Sequence, residues 1–227
     1  MEITTLASGS TGNAYIVTDS DNSLLLECGI SIERIKRGCN YALSRFAGCL
    51  VTHGHQDHCK AARDVMASGV DLYCSAGTAE FLQLAGHRLH IVKAGKRFTV
   101  GPWEIMPFDT QHDCPEPLGY LIMLPGEKLL FATDTYYLRY TFPSLTTIML
   151  ECNYAIDTLD ANVESGEVDL SRKSRLLRAH MSLEQCKATL MANDLSQVRE
   201  IHLLHLSFQN ADADRFKREI QRLTGKR

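Results

Sequence analysis

The segment Thr52-His53-Gly54-His55-Gln56-Asp57-His58 constrains the fold of this chain more than any other stretch. It runs directly out of Gly48-Cys49-Leu50-Val51-Thr52, which reads as a short buried strand. It leads into a helix expected over about Asp57 to Ser68 and closed by Gly69. His53 and His55, two apart on an extended segment, point to one side and can share a metal ion, and Gly54 lets the backbone turn sharply between them. Asp57 and His58 open the next helix, past the turn, where they can reach a second ion. Imidazole and carboxylate together suit zinc and also manganese or iron, whereas calcium or magnesium takes oxygen ligands throughout.

Four ligands are too few for two ions that also keep positions open to water. The others are expected at later strand ends. His112 lies in a turn with Asp113 and Pro115 after the strand ending at Phe108. Asp134 follows the buried run Leu129–Thr133, and a carboxylate there can bridge two cations. His205 lies in Ile201–Ser207, where alternation puts it and His202 on opposite faces; the strand end favours His205. His87 and His90 have no such setting and read as surface residues, and Cys59 reads as packing.

The remaining pattern is of short strands in groups with helices between them. Strands are expected at 14–17, 24–26, 72–74, 89–92, 97–100, 103–108, 118–124, 128–132, 147–150 and 201–206, with a turn at Asp19–Asn22. Helices are expected from Ser31 to about Arg37, near Thr78–Leu84, from Ser182 with a capping box to Gln185, and over Asp212–Leu223. Residues 157–178 are polar, ending in Arg172, Lys173, Arg175 and Arg178, and read as a helix or a lid. No repeat or linker interrupts the order. The fold class that suits it is α/β (α+β), two sheets face to face with helices outside, a four-layer αβ/βα sandwich formed by one domain over 1–227.

A formal net charge of −3 argues against a long basic nucleic-acid groove, so any basic surface must be local. No basic and apolar leader opens the chain and no apolar run approaches a membrane span, so a cytoplasmic protein with no membrane partner is expected. The eight cysteines are evenly spread, none in a C-x-x-C pair, as in reduced cytosolic proteins.

With His112, Asp134 and His205 following the H-x-H-x-D-H segment, the chain resembles the metallo-β-lactamase superfamily. That resemblance implies one metal on His53, His55 and His112, a second on Asp57, His58 and His205, and Asp134 bridging them. True zinc β-lactamases carry cysteine where Asp134 stands and lack a ligand at His58, and the diiron reductases of the superfamily have Glu where His55 stands. Four local features are similar to the YycJ (WalJ) group, a branch related to ribonuclease Z and to the PhnP phosphodiesterase. These are Ser8–Asn13, Glu151–Tyr154, His180–Leu183 and His205–Ser207, with Met181 where the group usually has Leu.

The resemblance implies a phosphodiesterase or nuclease, exonuclease-like, that uses two divalent ions, zinc foremost, and a bridging hydroxide to attack phosphorus. His180 is then the general acid, oriented by Glu151, and Asp57 helps position the hydroxide while binding metal. The turn cluster Ser8–Asn13 can present N–H groups to a phosphate, and Arg172–Arg178 can track a backbone. Substrates are nucleic acid or a small phosphodiester. Hydrolysis of a small ester, thioester or cyclic phosphate is the competing enzyme reading, and a non-catalytic metal-binding protein the other.

Overall fold

The computed structural model describes residues 1–20 and 22–226; Asp21, in the expected turn, lies outside them. The strands form two six-stranded sheets. The chain divides into two compact units, one of Met1–Asp109 and Cys114–Leu124, the other of Thr110–Asp113 and Pro125–Arg227.

In the first unit, β1 (Glu2–Ala7), β2 (Ala14–Asp19), β3 (Asn22–Leu26), β4 (Phe46–Leu50), β5 (Leu72–Cys74) and β6 (Leu89–Ile91) pair in chain order. β1 to β3 are antiparallel and β3 to β6 parallel. The helices α1 (Ile32–Gly38), α2 (Gln56–Cys59), α3 (Ala62–Ala67) and α4 (Ala76–Phe81) fall between these parallel strands in the chain, as crossovers must. Leu25, Cys49, Val51 and Leu72 join Ile35 and Val65 in one core cluster, while Leu24, Leu26 and Leu50 are as deeply buried. A sheet covered on both faces explains why β3 and β4 read as continuous apolar runs rather than alternating ones. The antiparallel strands β7 (Phe98–Val100), β8 (Trp103–Asp109) and β9 (Leu118–Leu124) complete this unit, and the Tyr120 hydroxyl donates to the Val51 carbonyl at 2.7 Å.

In the second unit, β10 (Glu127–Ala132), β11 (Thr147–Glu151) and β12 (Glu200–Leu204) are parallel, with Leu150 beside Ala132 and Glu151 beside Leu204. Their carboxyl ends therefore lie along one edge. The stretch expected as a helix or lid is two helices, α5 (Ile156–Glu164) and α6 (Leu170–Ala179), the latter capped by Asp169, which accepts from Arg172 N–H. Ser182 caps α7 (Leu183–Ala192) by accepting from Gln185 N–H at 3.1 Å, as its capping box predicts. In α7 the buried Leu183, Cys186 and Leu190, and in α8 (Ala213–Thr224) Phe216 and Ile220, recur at helical spacing and supply apolar stripes. Among the described residues no helix is long and apolar enough to cross a membrane, and all eight cysteines are free thiols.

The single helix expected over Asp57–Ser68 is broken into α2 and α3, and the cause is tertiary. Ala61 N–H leaves the helical ladder to donate to Cys28 O at 2.9 Å, while Cys28 N–H donates to His58 O at 2.8 Å. Asn13 N–H donates to Asp57 O at 2.7 Å and Gly29 N–H to Asn13 O. This lacing brings backbones so close that a Cβ on Gly29 would lie 1.7 Å from the Asp57 carbonyl oxygen. Gly29→Ala is therefore expected to destabilise the chain by about 1–3 kcal/mol or more, as overpacking does. For a chain of this length that lowers the thermal midpoint by roughly 3–10 °C, and an unshifted melt would show the segment to be pliable.

Candidate metal centre

The polar side chains of interest gather at the carboxyl ends of parallel strands, in each unit by itself. In the first, Glu27 follows β3 directly, and Thr52 and His53 follow β4. His53 Nδ1 lies 2.9 Å from Thr52 Oγ1, and its Nε2 faces His55 Nδ1 at 3.2 Å. The His53 and His58 rings stand 4.2 Å apart, and His58 Nε2 is 3.4 Å from Asp57 Oδ2. Sequence reasoning missed Glu27. Its fully buried carboxylate takes Thr52 N–H at 3.2 Å and faces His58 Nδ1 at 3.7 Å. Burial pushes its pKa up, and His58 and Thr52 pull part of that back.

The Ser8–Asn13 loop is tied to the start of α2. Gly12 N–H donates to Gly9 O, Gly9 N–H to Asn13 Oδ1, and Asn13 N–H to Asp57 O, so these donors are used within the protein. The Asn13 carboxamide instead reaches Asp57 O at 3.2 Å and His58 Nε2 at 3.1 Å, fixing the start of α2. Cys59 turns its thiol to the carbonyls of Gly54 and His55, a packing and tethering position.

In the second unit, Asp134 lies two residues past β10, Glu151 ends β11 and His205 is the residue after β12. Asp134 and His205 both sit in left-handed backbone, at φ 47° and 55°. The Asp134 carboxylate stands 3.5 Å from both His112 Nε2 and His205 Nδ1. His112 Nδ1 donates to Ala179 O at 2.7 Å, which leaves the Nε2 lone pair toward Asp134. His205 is held by Asn153, whose amide donates to the His205 carbonyl at 2.7 Å and lies 3.1 Å from Nδ1. Asp134, Glu151, His180 and His205 each bring a ligand atom within 4.8 Å of the others.

His180, the residue after α6, donates Nδ1–H to Glu151 Oε1 at 2.7 Å, and the second carboxylate oxygen takes Thr135 and Met181 N–H. Burial pushes the Glu151 carboxyl up, but the His180 charge and the bonds from His180 and His205 reverse this, so its pKa is lowered. Burial likewise opposes the His180 imidazolium, and the Glu151 charge and hydrogen bond outweigh it, raising its pKa. His202 pairs with Glu200 at 3.5 Å and His90 with Asp71 at 3.4 Å, and neither belongs to a group of clustered ligand atoms among the described residues.

These donor sets fit divalent cations. The carboxylate and imidazole atoms of Asp134 and His112 stand 3.5 Å apart, too far for a good hydrogen bond, and the His53 and His55 ring nitrogens stand 3.2 Å apart. Bonds of roughly 2.0–2.2 Å to a tetrahedral cation separate neighbouring ligand atoms by about 3.3–3.5 Å.

The β-lactamase superfamily domain matches residues 23–205 of the chain. Exodeoxyribonuclease YycJ of Bacillus anthracis is 28% identical over 226 residues, covering 92% of this chain and 84% of the relative. Among solved structures, the metallo-β-lactamase fold protein YhfI of Bacillus subtilis has a TM-score of 0.73 at 15% identity, covering 99% of this chain and 93% of that one. Human tRNase Z, short form, has a TM-score of 0.65 at 13% identity, covering 92% and 93%. These likenesses establish the α/β class with two sheets and helices that the pattern of short strands predicts. The chain belongs to the β-lactamase superfamily domain family and has the metallo-β-lactamase fold.

Proposed function

We propose that the chain, acting as one domain, is a two-metal phosphodiesterase that degrades nucleic acid from an end. The observation that carries this reading is the His180–Glu151 pair beside Asp134: an acid–base dyad abutting a carboxylate spaced for a cation, with Glu151 and Asp134 at the ends of adjacent parallel strands. The relative's printed name, an exodeoxyribonuclease, supports the substrate class.

In this reading His53, His55 and His112 would hold one cation and Asp57, His58 and His205 a second, with the Asp134 carboxylate available to either. Zinc suits that donor set best, with manganese or iron also compatible. Divalent ions bound there would lower the pKa of a water and draw charge from phosphoryl oxygens. Glu27 and Asn13 keep the His58 ring in place, and Asn153 does the same for His205. The Asp57 carboxylate is partly open to solvent, where it would accept a hydrogen bond from the attacking water. Glu151 accepts from His180 Nδ1 and stabilises the imidazolium, whose Nε2–H is the proton that the departing alkoxide needs.

Purified protein, stripped with a chelator and reloaded with zinc or manganese, is expected to lose hydrolysis of labelled DNA or RNA and then regain it. Turnover of bis(p-nitrophenyl) phosphate with every polynucleotide refused would replace this reading by hydrolysis of a small ester, thioester or cyclic phosphate. Full metal occupancy with no turnover of either would leave a non-catalytic metal-binding protein.

A further inference from the structure

Single exposed aromatic rings are ordinary on protein surfaces. Three in the second unit stand apart by their place in the chain. Tyr136 and Tyr137 follow Asp134 by two and three residues and are 41% and 45% exposed; Phe208 follows His205 by three and is 98% exposed. Asp134 and His205 meet at 3.5 Å, so both segments leave one cluster.

The backbone beneath the tyrosines is fixed. Thr135 N–H donates to Glu151 Oε2 at 2.7 Å, Tyr136 N–H to Gln111 O at 3.2 Å, and the Thr135 hydroxyl to Tyr137 O at 2.8 Å. The half-exposed rings thus stand on a tethered backbone rather than on a loose loop. Cations border the same place. Arg139 donates to Gln111 Oε1 at 2.9 Å, one residue before His112, and Arg175 of α6 pairs with Asp113, one residue after it. Arg172 and Arg178 of that helix form no ion pair with a carboxylate among the described residues.

From this placement we infer that Tyr136, Tyr137 and Phe208 form a stacking platform for the unpaired bases of single-stranded DNA, while Arg139, Arg172 and Arg178 follow its phosphates. The inference rests on the nucleic-acid reading above and narrows it to strands whose base faces are free. A duplex keeps its bases stacked on one another and offers these rings only a frayed end. Recognition through base faces tolerates any sequence, because every base has a π-face.

Binding of metal-loaded protein is measured by fluorescence anisotropy with three labelled probes of equal length and nuclease-resistant phosphorothioate linkages: oligothymidylate, the same backbone without bases, and a blunt duplex. Stacking is worth roughly 1–3 kcal/mol per base, about 5- to 150-fold. The base-bearing strand is therefore expected to bind at least about tenfold more tightly than the abasic one. Phe208→Ala and the double variant Tyr136→Ala/Tyr137→Ala should each shrink that gap about fivefold or more, and Phe208→Trp should restore it. Equal binding of base-bearing and abasic strands overturns the inference, as does an equal loss on both. Stacking is read from binding and the nuclease reading from turnover, so either can fail alone.

Discussion

Exchanging Asp134 for asparagine is expected to cut kcat/KM by about a thousandfold or more, roughly 4 kcal/mol of transition-state stabilisation, and to lower bound metal measured by elemental analysis. Asparagine is the informative exchange because the residue sits at φ 47°, a conformation that Asn adopts readily and alanine does not. It also keeps the shape that meets the Thr133 hydroxyl. What changes is the charge, and the charge is what a shared cation ligand supplies. Full metal content and full activity in this variant would remove Asp134 from the centre.

His180→Ala is expected to act differently. Loss of a general acid typically costs 10²–10⁴-fold, and that loss should appear in kcat with metal content unchanged. The deficit should shrink to a few-fold on bis(p-nitrophenyl) phosphate, whose leaving group departs without a proton. A structural role would instead lower both substrates together. Because the imidazole gains its proton affinity from Glu151, Glu151→Gln should weaken kcat in the same substrate-dependent way.

Much of this arrangement is legible from residue order because strand ends punctuate the chain. The apolar run Leu129–Thr133 is short, fully buried and followed by a carboxylate, and the structure places Asp134 just past that strand. His205 reads the same way, although β12 stops at Leu204 and the histidine turns into left-handed backbone. Glu27 was illegible: a single carboxylate after a strand has no spacing partner, and its contact with His58 is 31 residues away in the chain. The loop at 8–13 is legible only in part for the opposite reason. Its turn formers resemble a phosphate nest, but the N–H groups of Gly9, Gly12 and Asn13 are taken by Asn13 Oδ1, Gly9 O and Asp57 O, a tertiary fact that local composition does not carry. The helix broken at Lys60 has the same cause, since periodicity cannot register a carbonyl on Cys28 that competes for Ala61 N–H.

The four residues Thr110–Asp113 belong to the second unit although the chain on both sides of them belongs to the first. Dividing the gene in the turn after β9 would therefore not yield two self-sufficient pieces. The amino-terminal fragment would carry off His112, and the carboxyl-terminal one would be left with Asp134 and Ala179 facing a gap. Complementation between separately expressed halves would have to thread that short strap home before any chemistry returned.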